Sequence, residues 1–270
     1  MTRTLLLSLA LATAAAAQPS VEAPLDRVLG AVVGADGRVD YARLGARHAA
    51  DLDAALRAIA EADPAVLRTD AQKTAFLVNA YNAHVLKRVL ETPRASNLER
   101  QDLFGAFFRT PVRVAGRSMT LDQLEHGILR RENTVNGRSV PRALRALRPG
   151  RVDPRIHAAV NCAAISCPPL QRRAFRASTL DRDLDRAWRA FLASPRAARL
   201  DGRRVVLSSL FDWFAADVEA EGRLGDVLLR DMAGRSDLDR LRPLLAGKSA
   251  ADLRADRRVR FAYDWTVNRR

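Results

Sequence analysis

Apolar residues recur at helical spacing over most of the chain after Ser20. Residues 22–33, 47–61, 121–131, 179–194, 209–219 and 237–245 carry the three-to-four-residue period of amphipathic helices. The longest predicted helix opens at Thr69, where Thr69 and Gln72 have capping-box form, and runs from Asp70 to about Leu90, where Thr92-Pro93 stops it. Its apolar residues keep to no single stripe. Phe76, Ala80 and Ala83 lie on one side, Leu77 and Tyr81 on a second, Val78, Val85 and Val89 on a third. A helix apolar all round is a buried helix. Two segments alternate instead with period two. VRVAGRSMT from Val112 turns at Ala115-Gly116, and ARLDGRRVVL from Ala198 turns at Asp201-Gly202, so both read as hairpins. VRFAYDWTV, from Val259, reads as a closing strand, with Tyr263 and Trp265 on one face and Asp264 on the other. The sum is an α+β fold, helix-rich, around a small, mostly antiparallel sheet. The elements interleave without a linker or repeat, which predicts one domain over 18–270.

The first residues break this pattern. Arg3 precedes the apolar run LLLSLALATAAAA, and small residues stand at Ala15 and Ala17 before Gln18-Pro19. This has the form of a signal peptide over residues 1–17, too short for a comfortable membrane span. No later segment approaches the length of a span, so the mature chain is expected to be exported, periplasmic or secreted, without a transmembrane segment. Composition adds a formal charge of +14, carried almost wholly by arginine, since Lys73, Lys87 and Lys248 are the lysines. The basic residues fall in short scattered clusters. A nucleic-acid partner would want one concentrated basic face with interleaved aromatics, and none is expected.

Candidate chemistry concentrates in DPRIHAAVNCAAISCPPL, Asp153 to Leu170, which holds both cysteines of the chain, Cys162 and Cys167. Asp153-Pro154 opens either a helix or a strand. In both, His157 and Asn161, four apart, share a face. Five residues of helix would separate the two cysteine Cα atoms by about 7.5 Å, and five of strand by about 16 Å. A disulfide spans roughly 4.4–6.8 Å. The pair can bond only where Ala163 to Ser166 turn the chain back, and an oxidising compartment favours that pairing. The rival is a thiolate nucleophile at Cys162 or Cys167, with His157 or His126 as base and Asn161 or Asp264 orienting it. Arg155 would help lower a thiol pKa. The C-x4-C spacing with one histidine lacks a full zinc ligand set, so no metal and no cofactor is expected.

Other polar residues sit in unusual places. Asn79 and Asn82 lie inside the buried helix, one above the other. They either tie loops to that helix or, with Tyr81, line a pocket. Glu125, His126 and Arg130 share the 121–131 helix, where His126 and Arg130 face the same way. A surface ion-pair helix is the alternative.

The ordered set DGRVDYARL, AFLVNAYNAHVL, LEHGILR, DPRIHAAVNCAAISCPPL, LSSLFDWFAADV and YDWTVN resembles the domain of unknown function 547 family, in its bacterial exported branch. The likeness runs from about Asp36 to Asn268. One departure is that the family often has an aromatic residue, commonly tryptophan, just before its N-x-Y-N unit, where this chain has Leu77-Val78 after Phe76. The resemblance implies a single exported globular domain, and the family name assigns no activity. A helix beside a Cys/His segment is loosely similar to papain-like and transglutaminase-like folds, an analogy of fold alone. Together these features predict a polar pocket for a small-molecule or peptide-like ligand, formed around Asn79, Tyr81, Asn82, Glu125, Arg130, Arg155, Asn161 and Tyr263. A cysteine/histidine-dependent hydrolase or acyl-transferase and a non-catalytic interaction module are the alternatives.

Overall fold

The computed structural model describes residues 20–270; the signal-peptide reading of residues 1–17 lies outside them. The architecture is organised around the helix Asp70–Glu91 (α4), which follows α1 (Glu22–Val32), α2 (Tyr41–Arg47) and α3 (Ala49–Glu61). The Thr69 capping box is present, with the hydroxyl accepting from Gln72 N and the Gln72 amide accepting from Thr69 N at 2.9 Å. Leu77, Val78, Ala80, Tyr81, Ala83, Val85 and Leu86 on α4 are all buried. Each such leucine or valine contributes about 1.5–3 kcal/mol on leaving water, which is why the sequence runs apolar on every side. α1, α2 and α3 pack on α4 from one side, and α7 (Leu180–Ala193) from another.

The strands form three small sheets rather than one. Two are hairpins, Val112–Val114 with Arg117–Met119 (β1, β2) and Thr134–Val135 with Arg138–Ser139 (β3, β4). The third orders β5 (Ala198–Asp201), β6 (Arg204–Ser208) and β7 (Val259–Ala262), with β5–β6 antiparallel and β6–β7 parallel. Parallel neighbours need a long crossover. Here the chain between β6 and β7 supplies it as short helices, including Leu210–Trp213, Ala215–Glu219 and Leu224–Asp231. The closing strand ends at Ala262, short of the sequence expectation. Residues 263–268 then thread between loops as isolated bridges, pairing Asn97 with Thr266 and Ala164 with Val267.

Two local departures matter for the site. The expected 121–131 helix is a π-helix over Gln123–Leu129, in which Arg130 N bonds Glu125 O at 2.9 Å. The segment after Asp153 is a single 3-10 turn, Pro154–Ala158, and its regular structure stops there. The Asp36-Gly37 turn seats directly on the double proline. Gly37 has φ +75°, and a Cβ there would meet Pro169 Cα at 2.5 Å, so both its conformation and its contact require glycine.

Candidate functional site

A cavity of about 450 Å³ opens between the π-helix, the 157–168 segment, the helix Gln101–Arg109 (α5), the start of the β6–β7 crossover, and residues 263–265. Its polar lining includes Tyr81, Glu125, His126, Arg130, His157 and Tyr263, together with the Cys162–Cys167 pair. These residues come from four separated stretches of sequence. Asp122, Glu132, Thr134 and Asn136 complete the polar side, and Phe104, Phe108, Trp213, Phe214 and Trp265 form an aromatic wall. In that wall Trp213 stacks on Trp265 with centroids 5.7 Å apart, and Tyr263 lies 4.8 Å from Trp213 and 4.7 Å from Trp265. Phe104 meets the edge of Trp265 at 5.2 Å. Trp213 is 44% exposed, high for so large an apolar ring, and marks the mouth.

His157 is the best-held group. Its Nε2 lies 2.8 Å from Asp217 Oδ2, and its ring stacks on Phe214 at 4.0 Å, 6° from parallel. Phe214 and Asp217 are three residues apart, so one short helical stretch presents both to the same imidazole. Arg130 Nε donates to the same Asp217 oxygen at 2.6 Å, and its guanidinium lies 4.7 Å over the Phe214 ring. The other fork of Arg130 engages Glu132 and donates to His126 Nδ1 at 3.2 Å. Burial pushes the Asp217 carboxyl up, but the hydrogen bonds from His157 and Arg130 outweigh it and hold it below the usual carboxylate range. An ionised carboxylate only accepts, so Nε2 of His157 carries the proton and Nδ1 the lone pair. Burial lowers the imidazole pKa more than Asp217 raises it, which keeps His157 neutral. Its Nδ1 is buried with no hydrogen-bond partner.

The cysteines are joined to each other, with Cα atoms 6.4 Å apart. The reversal they require occurs at Ala163, which has φ +64°. Both sulfurs face the Tyr263 hydroxyl, at 3.0 and 3.1 Å. In this state neither sulfur is a thiolate, so the structure holds no nucleophile at Cys162 or Cys167. Burial, then the Glu125 carboxylate, raise the Tyr81 and Tyr263 hydroxyls well above the ordinary phenol range. Glu125 thus stands close to both phenols.

Several expected site residues lie elsewhere. Asn79 does not line the cavity; its amide clamps Phe175, donating to the carbonyl at 2.8 Å and accepting from the N–H at 2.9 Å. Asn82 clamps Ala159 O and Asn161 N in the same way, each at 2.9 Å. Asn161 parts from His157 because the 3-10 turn ends between them. Its side chain donates to Pro168 O at 2.8 Å and accepts from Ala163 N at 2.9 Å, bracing the disulfide ring from behind. Arg155 turns away to Asp153, Asp181 and Asp185. Its hydrogen bond to Asp153 is the first cause of a raised pKa. Asp264 is exposed and its carboxylate accepts from Thr266 N at 2.9 Å, so it orients no histidine. Asp217 takes that part. Its helical spacing from Trp213 and Phe214 was its only signal in the sequence, inside an acidic stretch that reads as a solvated face. A broader depression of about 1190 Å³ lies on the other side of Asp217, but its charged lining is largely ion-paired within the protein, as Arg155, Arg230 and Arg235 illustrate. Among the described residues, no group of three or more His, Cys, Asp or Glu is arranged to hold a metal ion, and no helix is long and apolar enough to cross a membrane.

The family model for "Protein of unknown function, DUF547" matches residues 66–192. That stretch of the chain belongs to the family. The matched stretch contains Tyr81, Glu125, His126, Arg130, His157 and both cysteines, whereas Trp213, Phe214, Tyr263 and Trp265 close the cavity from beyond it, and Asp217, which holds His157 from behind, also lies beyond it. No curated protein and no solved structure matches the chain.

Proposed function

We propose that this DUF547 domain binds a small organic or peptide-like ligand in the cavity between Tyr81, His157 and the Trp213–Trp265 wall. The observation that carries the reading is the meeting, in one cavity of about 450 Å³, of an aromatic wall and His157, whose buried Nδ1 has no partner. That volume is of small-molecule size, roughly 300–1,000 Å³. An aromatic wall supplies apolar contact area, and a few fixed polar groups supply orientation. The test is a panel of small molecules and short peptides, read by thermal shift and by tryptophan fluorescence. Binding should quench the signal of Trp213 and Trp265 and weaken in Trp213→Ala. A panel in which no compound shifts the native protein more than Trp213→Ala counts against the reading.

A second reading, hydrolysis, is favoured by the Asp217–His157 pair. The carboxylate fixes the imidazole tautomer and leaves Nδ1 as a general base for water. The disulfide removes the thiol from that scheme. Product analysis of the same panel with His157→Gln tests it, and turnover that survives the substitution would refute a His157 base. Export to an oxidising compartment is part of the proposal, supported by the leader-like pattern and the Cys162–Cys167 bond.

A further inference from the structure

We propose that the ligand group received by this cavity is a protonated amine, its N–H donors taken by Glu125 and by Nδ1 of His157 and its carbon skeleton laid against Trp213, Tyr263 and Trp265. The inference rests on the binding reading above and deepens it by naming the ligand's chemistry.

The charges of the cavity lead there. The chain carries a formal +14, yet the cavity lining has three carboxylates, Asp122, Glu125 and Glu132, against one guanidinium, Arg130. Arg130 is engaged by Asp217 and Glu132. Asp122 accepts from Asn136 Nδ2 at 2.6 Å and faces Arg109 at 3.5 Å. Glu125 has no ion pair among the described residues, and its close neighbours, Tyr81, Tyr263 and His157, are neutral groups. An anion entering the cavity would meet these carboxylates with no free cation in the lining. A cation would meet an unpaired carboxylate.

The second observation is independent of charge. His157 is 4% exposed, and its Nδ1 is buried without a partner in a ring that lines the cavity. Because Nε2–H is committed to Asp217, Nδ1 is an acceptor and asks for a donor. A protein rarely leaves such an atom unsatisfied. The Tyr81 hydroxyl donates to Glu125, which leaves that carboxylate further lone pairs but no cation, and Nδ1 has no donor at all; an ammonium brings up to three N–H groups. The aromatic wall suits the same ligand, since ring faces attract cations. The protein already uses that contact in the same wall, with Arg130 over Phe214.

Four probes of one shape separate the possibilities: 2-phenylethylamine, its N,N,N-trimethylated analogue, 2-phenylethanol and 3-phenylpropionate. Each is titrated against the full mature chain by calorimetry and tryptophan fluorescence. 2-Phenylethylamine should bind about tenfold or more tightly than the alcohol and the carboxylate, and more tightly than the trimethylated cation, which has no N–H for Nδ1. Glu125→Gln should lose about tenfold for the amine and leave the alcohol unchanged. Alcohol or carboxylate binding as tightly as the amine overturns this inference and leaves the binding reading standing. A trimethylated cation equal to the amine overturns the role of Nδ1, and with it the assignment of a protonated amine. Failure of all four to bind overturns this inference, and the binding reading falls with it only when the wider panel of small molecules and short peptides also fails. The comparison among probes is made on the native protein, so it stands even if Glu125→Gln does not fold.

Discussion

Replacing Asn79 by alanine removes two buried hydrogen bonds at a residue that does not line the cavity. The Asn79 amide donates to Phe175 O at 2.8 Å and accepts from Phe175 N at 2.9 Å. Asn79 is 2% exposed and Phe175 3%, so the orphaned carbonyl and N–H would stay out of water. A buried polar group left without a partner costs about 1–3 kcal/mol. Two of them set a range of about 2–6 kcal/mol, and a water entering the space of the lost amide would recover part of it. The expected loss is about 2–4 kcal/mol, or roughly 6–12 °C in melting temperature for a domain of this size. Urea unfolding followed by circular dichroism measures it. Asn97 provides the control, because its carboxamide makes a single exposed hydrogen bond, accepted from Glu99 N, and Asn97→Ala should stay within about 0.5 kcal/mol. An Asn79→Ala loss as small as the control's would refute the tether and return Asn79 to the candidates for ligand contact.

Two further outcomes follow from the same geometry. Burial takes the His84 imidazole down to about 4, against the opposing hydrogen bond to Arg113 O, and takes His157 down as well. A histidine whose folded pKa lies below its unfolded value of about 6.5 keeps its full contribution above that pH, and loses stability as the pH falls towards the folded pKa, where only the unfolded chain takes up the proton. His84 alone should cost about 2 kcal/mol by pH 5. Unfolding at pH 7.5 and pH 5 should show that loss in the native protein and a smaller one in His84→Gln; equal pH dependence in the two would sink it. Separately, the disulfide closes a ring with a sequence separation of 5. Loop-closure entropy makes so small a ring contribute about 2 kcal/mol. Cys162→Ala with Cys167→Ala should lose about that much by urea titration, and no loss would place the disulfide's role in shaping the cavity alone.

The elements visible in the sequence were those whose signal is local. The capping box of α4, its all-round apolar surface and the turns at Ala115-Gly116 and Asp201-Gly202 depend on neighbouring residues and form as expected. The π-helix was hidden because its apolar spacing over 121–131 resembles an α-helix, and the wider turn shows only in the bond from Arg130 N to Glu125 O. The sequence expectation holds no element at α5, so Phe104 and Phe108 are absent from the expected site. Pairing Asp264 with a histidine failed for a related reason. The strand ends at Ala262, and the partner of His157 arrives instead from 60 residues downstream, on the crossover between β6 and β7. Helical spacing from Trp213 and Phe214 is the one local signal at Asp217, and it is masked by the acidic residues beside it, which share the pattern of a solvated face.

Helix geometry explains how one short unit on α4 serves both the frame and the cavity. Successive residues advance by about 100°, so Asn79 and Asn82 nearly align, while Tyr81 points about 100° away from Asn82 and about 160° from Asn79. The two asparagines hold backbone at 159–161 and 175, and Tyr81, turned from them, lines the cavity. His157 lies two residues before the Ala159 carbonyl that Asn82 grips, and Cys162 follows the Asn161 N–H that it also grips. Asn82 therefore sets the distance between α4 and the segment carrying both His157 and the disulfide. Behind that segment Asn161, Asn268 and Tyr41 continue the buried chain of hydrogen bonds, with Asn268 donating to Asn161 Oδ1 at 3.3 Å and accepting from Tyr41 at 2.8 Å. Such a frame spends its polar groups on backbone, and it leaves Nδ1 of His157 without a partner and the Glu125 carboxylate without an ion pair among the described residues, the two groups the proposed amine would engage.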